Sequence, residues 1–269
     1  MRLKDRVVVI TGSTRGIGRA AAEACAAEGA AVVVSSRSQA AVSRTVDELK
    51  NQGYRASGLV CDVSVPSDLE RLLEHAIQSW GRIHVWVNNA GLSGGLRRVE
   101  ELSQEEIAAL VGVNVLGTMQ ACRLVIPYFL EQGGGILINL SGKGGRGEVS
   151  PHTAVYAATK AAVTSLTRSL AAENKGKPLS IHAVIPGMVA TDFFRHAKTS
   201  PQLADIGRSV PLVLNALGVP LDVVGRSFVP IAAQVPGQVT GKVYNVLAGR
   251  RLLRGMVLLA WYRVTGRLA

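Results

Sequence analysis

The chain is short of cysteine, of acid and of long apolar runs. Its three cysteines, Cys25, Cys61 and Cys122, lie far apart and outside any C-x-x-C or Cys/His cluster. Neither a disulfide framework nor a metal site is offered by that spacing, so no metal is expected and a reducing compartment, the cytoplasm, is. No apolar run approaches the roughly 18 residues of a membrane span. The opening Met1-Arg2-Leu3-Lys4-Asp5-Arg6 leads straight into Val7-Val8-Val9-Ile10, too short and polar for a secretory leader. Low-complexity tracts and internal repeats are also missing. Asp and Glu number 19 against 30 Lys and Arg, a formal charge of +11. Such an excess suits nucleic acid, an anionic membrane or acidic ligands. No nucleic-acid motif accompanies it, so no nucleic acid is expected. Much of it gathers near the end, in Arg250, Arg251, Arg254, Arg263 and Arg267.

What is present suits a globular α/β protein: 48% hydrophobic residues and 29 glycines in 269. That length fits one large domain or two small ones, and one is the simpler reading. Short Val/Ile-rich runs alternate with helical patterns, the mark of repeated βαβ units. Strands are predicted at 7–10, 31–35, 59–61, 83–87, 136–140, 180–185 and 243–246. Helical stretches include 18–28, 67–80, 107–131 and 155–173. The order predicts an α/β, doubly wound parallel sheet of the Rossmann type, whose ligands bind beyond the carboxyl ends of the strands.

Directly after the first strand comes Thr11-Gly12-Ser13-Thr14-Arg15-Gly16-Ile17-Gly18, then an Ala-rich helix. Glycines there let the backbone approach a pyrophosphate, whose charge sits at the positive end of the helix. A strand-to-helix turn needs glycine anyway; its place between an apolar strand and a helix makes the nucleotide reading the stronger one. The second strand ends Ser35-Ser36-Arg37-Ser38, where an NAD site usually places an acid for the ribose hydroxyls. No carboxylate follows until Asp47, while Arg37 and Arg15 offer guanidinium groups suited to a phosphate. NADP(H) is the expected cofactor.

Tyr156 and Lys160 are four residues apart at the start of a helix, so they share a face. A phenol of pKa about 10 is lowered by a neighbouring ammonium and can exchange a proton with a substrate oxygen. Such a pair is common on helix surfaces and gains meaning only in company.

In that company the chain to about Val246 resembles the short-chain dehydrogenase/reductase family. The matches, in family order, are Thr11-Gly12-x-x-x-Gly16-x-Gly18, Asp62, Asn88-Asn89-Ala90-Gly91, Asn114, Tyr156-x-x-x-Lys160 and Pro186-Gly187. The resemblance implies that Tyr156 is the proton donor or acceptor, and that Lys160 lowers its pKa and holds the nicotinamide ribose. It implies that Asn114 binds a relay water and that Asp62 and Val63 flank the adenine. Asn88 to Gly91 would line the cofactor and steady the sheet, and Thr191, after Pro186-Gly187, would contact the nicotinamide amide. A homo-oligomer, dimer or tetramer, is implied as well, with the helices of Asn114 and Tyr156 at the interface.

Departures from the family pattern are informative. The family serine that holds the substrate oxygen commonly precedes the tyrosine by about thirteen residues, where this chain has Lys143. Ser141, the one hydroxyl at the strand end, is expected to take its role; Gly142 also aligns with that position, and His152 and Lys143 are the other candidate donors. His84 replaces an acid often found before Asn88-Asn89, and reads as structural. The family's Asp-Gly-Gly after the last strand is missing, with Leu247-Ala248-Gly249-Arg250 there instead.

Residues 1–249 are thus expected to form the catalytic domain, with a substrate segment at about 192–225. There Phe193, Phe194, Leu212, Leu214 and Leu217 suggest an apolar pocket for a hydrophobic ketone. Lys143, Arg146 and His152 would face any anionic group. Residues 250–269 read as a basic amphipathic extension that packs on its own domain, docks a subunit, caps the pocket or, as a minor alternative, lies on a membrane. The expected activity is hydride transfer between NADP(H) and a small-molecule carbonyl or secondary alcohol. The rivals are an NADP(H)-binding sensor or scaffold without turnover, and an epimerase or dehydratase acting through transient oxidation.

Overall fold

The computed structural model describes residues 1–191 and 198–267, the side chains at 204–206 excepted. The stretch 192–197, with Phe193 and Phe194, lies outside the described residues. The chain forms a single Rossmann-like domain around one parallel sheet of seven strands in the order β3-β2-β1-β4-β5-β6-β7. The strands are β1 (Val7–Ile10), β2 (Ala31–Ser36), β3 (Ala56–Val60), β4 (Val85–Asn88), β5 (Gly135–Leu140), β6 (Leu179–Ile185) and β7 (Val243–Asn245). The order reverses between β1 and β4, which opens the crevice where such sheets bind ligands.

Helices cover both faces, which is why the strands read as unbroken apolar runs rather than alternating ones. Val8, Ile10, Val32, Val34, Ile136 and Ile138 pack under α1 (Gly16–Ala27), α2 (Gln39–Asn51) and a helix near the end of the fold. Val7, Val9, Val33, Trp86 and Leu137 pack under α3 (Pro66–Trp80) and the helix that follows β4. Each such side chain, fully buried, contributes about 1.5–3 kcal/mol, so the sheet is the rigid frame of the molecule.

Most boundaries differ from the sequence reading by one or two residues, and two differ by three. β3 begins at Ala56 rather than Leu59, because Ser57 and Gly58 belong to it. Glycine is tolerated there since a Cβ at Gly58 would lie 2.8 Å from both Val34 and Val42. The helix expected over 107–131 begins earlier and is interrupted: α4 (Gln104–Val111), a π-helical turn at Gly112–Leu116, and α5 (Gly117–Glu131). Ser103 and Glu106 form a capping box that sets its start. Gln104–Glu131 is, by length and composition, apolar enough to cross a membrane. That qualifies the reading of short apolar runs, but Ala121, Cys122, Val125 and Phe129 of this helix are core residues.

After β5 come α6 (Ala154–Glu173), α7 (Ala204–Leu217) and α8 (Leu221–Ala232), the last packed on α1. The basic C-terminal segment forms α9 (Gly249–Val264), which packs against α7.

Candidate active site

The turn after β1 brings the chain to the N-terminus of α1, where the side chain of the N-cap residue Arg15 makes no cap to the first amides. Amides at such a helix end can meet an anion. The approach is open because glycine is required: Gly12 has φ +63°, and a Cβ on it would sit 2.9 Å from the Ala90 backbone. A Cβ on Gly18 would run into the Gly12 carbonyl and the Asn89 amide. Asn89 braces the turn, its Nδ2 donating to the carbonyls of Thr11 (2.8 Å) and Gly12 (3.0 Å). Thr11 Oγ1 in turn accepts from the amides of Asn89 and Ala90. Ser13, expected at the cofactor, is fully buried; its hydroxyl donates to Ile10 O (2.7 Å) and accepts from Ser35 N (3.0 Å). It ties the turn to β2. Thr14, Arg15 and Ile17 form the accessible rim. Thr191 lies over Gly16, its methyl 3.5 Å from where a Cβ would stand, with Pro186 and Gly187 (φ +81°) turning the chain out of β6 beforehand. The shape is a cradle that fits a dinucleotide pyrophosphate.

At the end of β2, Ser36 is half-buried and Arg37 exposed. The neighbouring acid is Asp62, beyond β3. Partial burial works to raise its pKa, but two hydrogen bonds from Ser64 and the charge of Arg37 outweigh it and hold the carboxyl below its usual range. Val63 is buried behind it, against Gly117.

The chemistry-bearing side chains gather beyond β4 and β5. Asn114 is buried in the π-helical turn; its Nδ2 donates to Leu92 O (3.0 Å) and Thr159 Oγ1 (3.1 Å), and its Oδ1 accepts from Leu92 N. The extra residue of a π turn re-aims a side chain that would otherwise follow the helix. Lys160 is buried on α6, its Nζ donating to Leu140 O at 3.0 Å and lying 5.6 Å from the Tyr156 ring centroid. Asn114 Oδ1 and Lys160 Nζ both border Gly91, at 3.3 and 3.6 Å from its Cβ position. Burial pushes the Lys160 ammonium down to about 8. Burial also pushes the Tyr156 phenol above its ordinary value, whereas the sequence reading expected the ammonium to lower it. Desolvation of a phenolate outweighs the attraction of a lysine that is directed to a carbonyl. At neutral pH the tyrosine therefore holds its proton, ready to give it.

Ser141 is not where its expected role would need it. Its hydroxyl is buried beneath α6, bonded to Thr164 Oγ1 (2.7 Å) and Lys160 O (3.1 Å). Gly142 is the residue against the tyrosine: a Cβ there would stand 2.6 Å from Tyr156 Oη. β5 explains the swap, since side chains alternate along a strand. Asn139 faces α6, donating to Thr167 Oγ1 (2.9 Å), and Ser141, two residues on, faces the same helix one turn earlier. That alternation is the sequence signal that would have identified Gly142. Thr159, which joins Asn114 to the Tyr156 carbonyl (2.7 Å), was missed outright. Lys143 and Arg146 are exposed, and His152, with φ +62°, borders a small cleft with Gly94, Arg97 and Tyr156.

Two residues near the motifs are structural. Asn88 Nδ2 donates to Asn139 Oδ1 (2.9 Å) and its Oδ1 accepts from Trp86 Nε1 (2.8 Å), locking β4 to β5. His84 Nδ1 accepts from Val7 N (3.0 Å), and burial pushes its pKa down to about 4, so it stays neutral as that acceptor.

The short chain dehydrogenase family model matches residues 6–202. The chain belongs to the short-chain dehydrogenases. Within this family the chain is 32% identical, over 97% of its length, to a probable chlorophyll(ide) b reductase (NYC1, chloroplastic) of Arabidopsis thaliana, of which it covers 54%. It thus spans about half the length of that relative. Among solved structures, a 3-ketoacyl-(acyl-carrier-protein) reductase from Brucella melitensis in complex with NADH superposes with a TM-score of 0.78. That pair is 28% identical, with 93% of this chain and 99% of the other covered. A variant of actinorhodin polyketide ketoreductase with NADPH gives 0.80 at 28% identity, covering 93% and 98%. The fold and the oxidoreductase class of this short-chain dehydrogenase follow from those matches.

Proposed function

We propose that this short-chain dehydrogenase is an NADP(H)-dependent reductase of the carbonyl group of a hydrophobic small molecule, with Tyr156 as the proton donor. The observation that carries the reading is the half-buried Tyr156, its hydroxyl set against Gly142 and its ring beside the Lys160 ammonium, on the same crevice as the glycine cradle. NADPH, when bound, supplies the hydride. Gly12, Gly16 and Gly18 would admit its pyrophosphate, Asp62 and Val63 its adenine, and Ser36 and Arg37 its 2′-phosphate. Asn89, Ala90, Gly91, Pro186, Gly187 and Thr191 would enclose the nicotinamide end. Tyr156 gives its proton to the substrate oxygen, Lys160 stabilises the phenolate left behind, and Asn114 holds the relay that returns a proton.

NADP(H) is favoured by the exposed guanidinium of Arg37 and by the missing acid at the end of β2. A hydrophobic substrate is favoured by the similarity to a probable chlorophyll(ide) b reductase and to a polyketide ketoreductase. A sensor without turnover would have no use for a buried Lys160 beside a tyrosine. Val111, Leu116 and Met119, exposed on the Gln104–Glu131 helix, support a homo-oligomer through that face. Three buried, unpaired cysteines suit the cytoplasm.

The test is titration with NADPH and NADH, then NADPH oxidation with a panel of aldehydes and ketones. NADPH should bind at least about tenfold tighter than NADH, as expected for one charge-assisted contact. Tyr156→Phe should cut turnover by about 10³-fold while leaving NADPH affinity within a few-fold. Preference for NADH would refute the role of Arg37, and turnover retained by Tyr156→Phe would refute the proton donor.

A further inference from the structure

We propose that the outward face of α9 docks this protein onto an anionic lipid surface, independently of what its active site reduces. The helix has two apolar faces. The inner one is taken: Gly255 lies against Ala216 and Leu217 of α7, and the buried Tyr262 accepts a hydrogen bond from Asn215 Nδ2 at 2.6 Å. The outer one holds Leu253, Met256, Val257, Trp261 and Val264, exposed at 60, 49, 64, 47 and 87%. Their spacing of three and four residues makes one stripe along the helix. Single exposed apolar side chains need no explanation, whereas a continuous stripe of five marks an interaction face.

Charge decides among the possible occupants. At 100° per residue, Arg254 falls on one side of the stripe and Arg263 on the other, while Arg250 lies in line with Val257 and Trp261 at its N-terminal end. Arg267 lies over the Trp261 ring, 4.9 Å from its centroid. No Asp or Glu lies between Asp222 and Ala269, so the helix itself carries no acid to offset those arginines. A second copy docked through the same stripe would bring like charges together around an apolar seam, which an isologous contact cannot avoid. A bilayer rich in anionic headgroups matches both parts: the stripe enters the acyl boundary, the arginines meet the headgroups, and Trp261 sits at the interface between them.

The experiment is sedimentation of the full chain with vesicles of phosphatidylcholine alone and of an equal mixture with phosphatidylglycerol. Anionic vesicles should bind at least about tenfold more protein than neutral ones, less so at raised salt. Trp261 emission should shift to the blue, since Trp86 is fully buried and Trp80 only half exposed. The variant Leu253→Ser/Val257→Ser/Val264→Ser keeps every charge and should lose about tenfold or more of the binding and the blue shift. Its NADPH affinity, unchanged, shows that it is folded. Equal binding to both vesicle types, no binding, or full binding by the serine variant would each overturn the proposal. A variant whose only change is a smaller assembly in solution would assign the face to a second copy instead.

Discussion

The turns after β1 and after β5 are both rich in glycine and both end at the crevice, yet glycine serves them differently. After β1 its absence of side chain admits a ligand to the backbone. Thr11, Ser13 and Asn89 then hold that backbone through hydrogen bonds of 2.7–3.0 Å. After β5 glycine admits another part of the protein: Gly142 receives the Tyr156 hydroxyl, and Gly144 and Gly145 lie against Ala157, Ser141 and Thr164. The first turn is a ligand cradle, whereas the second is a socket for α6. Glycine in a strand-end motif thus marks close approach without telling what approaches.

The largest expected effect tests the cradle. Gly18→Ala places a methyl into the Gly12 carbonyl and the Asn89 amide, two groups that are backbone or tied to backbone. Overpacking with loss of a buried hydrogen bond should cost about 2–4 kcal/mol in urea unfolding and weaken NADPH by more than about a hundredfold. Stability and affinity both within error of wild type would show that the turn is pliant and that the comparison fails on its first side.

The socket is tested by Gly142→Ser. A Cβ 2.6 Å from Tyr156 Oη forces the hydroxyl aside. Since a displacement of an ångström costs about 10² in rate, turnover should fall by about that factor with NADPH affinity kept. A rise in turnover would mean instead that the tyrosine yields to a serine hydroxyl in the family's usual manner.

A smaller effect sharpens the cradle side. Arg37→Ala should weaken NADPH by about tenfold and leave NADH unchanged, as befits one exposed charge-assisted contact. An equal loss for both would place Arg37 on a feature the two cofactors share.

How much was legible follows the same division. Parallel strands buried on both faces leave unbroken apolar runs, so β1, β2, β5 and β6 stand out. β3 does not, because Gly58 replaces a side chain where Val34 and Val42 fill the space. The cradle was legible since its glycines act through backbone, which spacing fixes. Asn114, Tyr156 and Lys160 do lie at one crevice. The π-helical turn that aims Asn114, and Thr159, which holds it, depend on contacts between α4, α5 and α6 that no local pattern displays.

Ser141 carries the smallest expected effect and the finest distinction. A residue that gripped the substrate oxygen would lose much of its turnover on Ser141→Ala. Here the hydroxyl's partners are Thr164 Oγ1 and Lys160 O, and Thr164 itself donates to the same carbonyl at 3.1 Å. The alanine variant therefore leaves that carbonyl satisfied and should keep turnover within about threefold, losing about 1 kcal/mol of stability for one buried hydrogen bond. A loss above tenfold with unchanged stability would return the serine to the substrate and make the two turns alike. Turnover kept with stability lost would fix Ser141 as the bolt that holds α6, and with it Tyr156, over the end of β5.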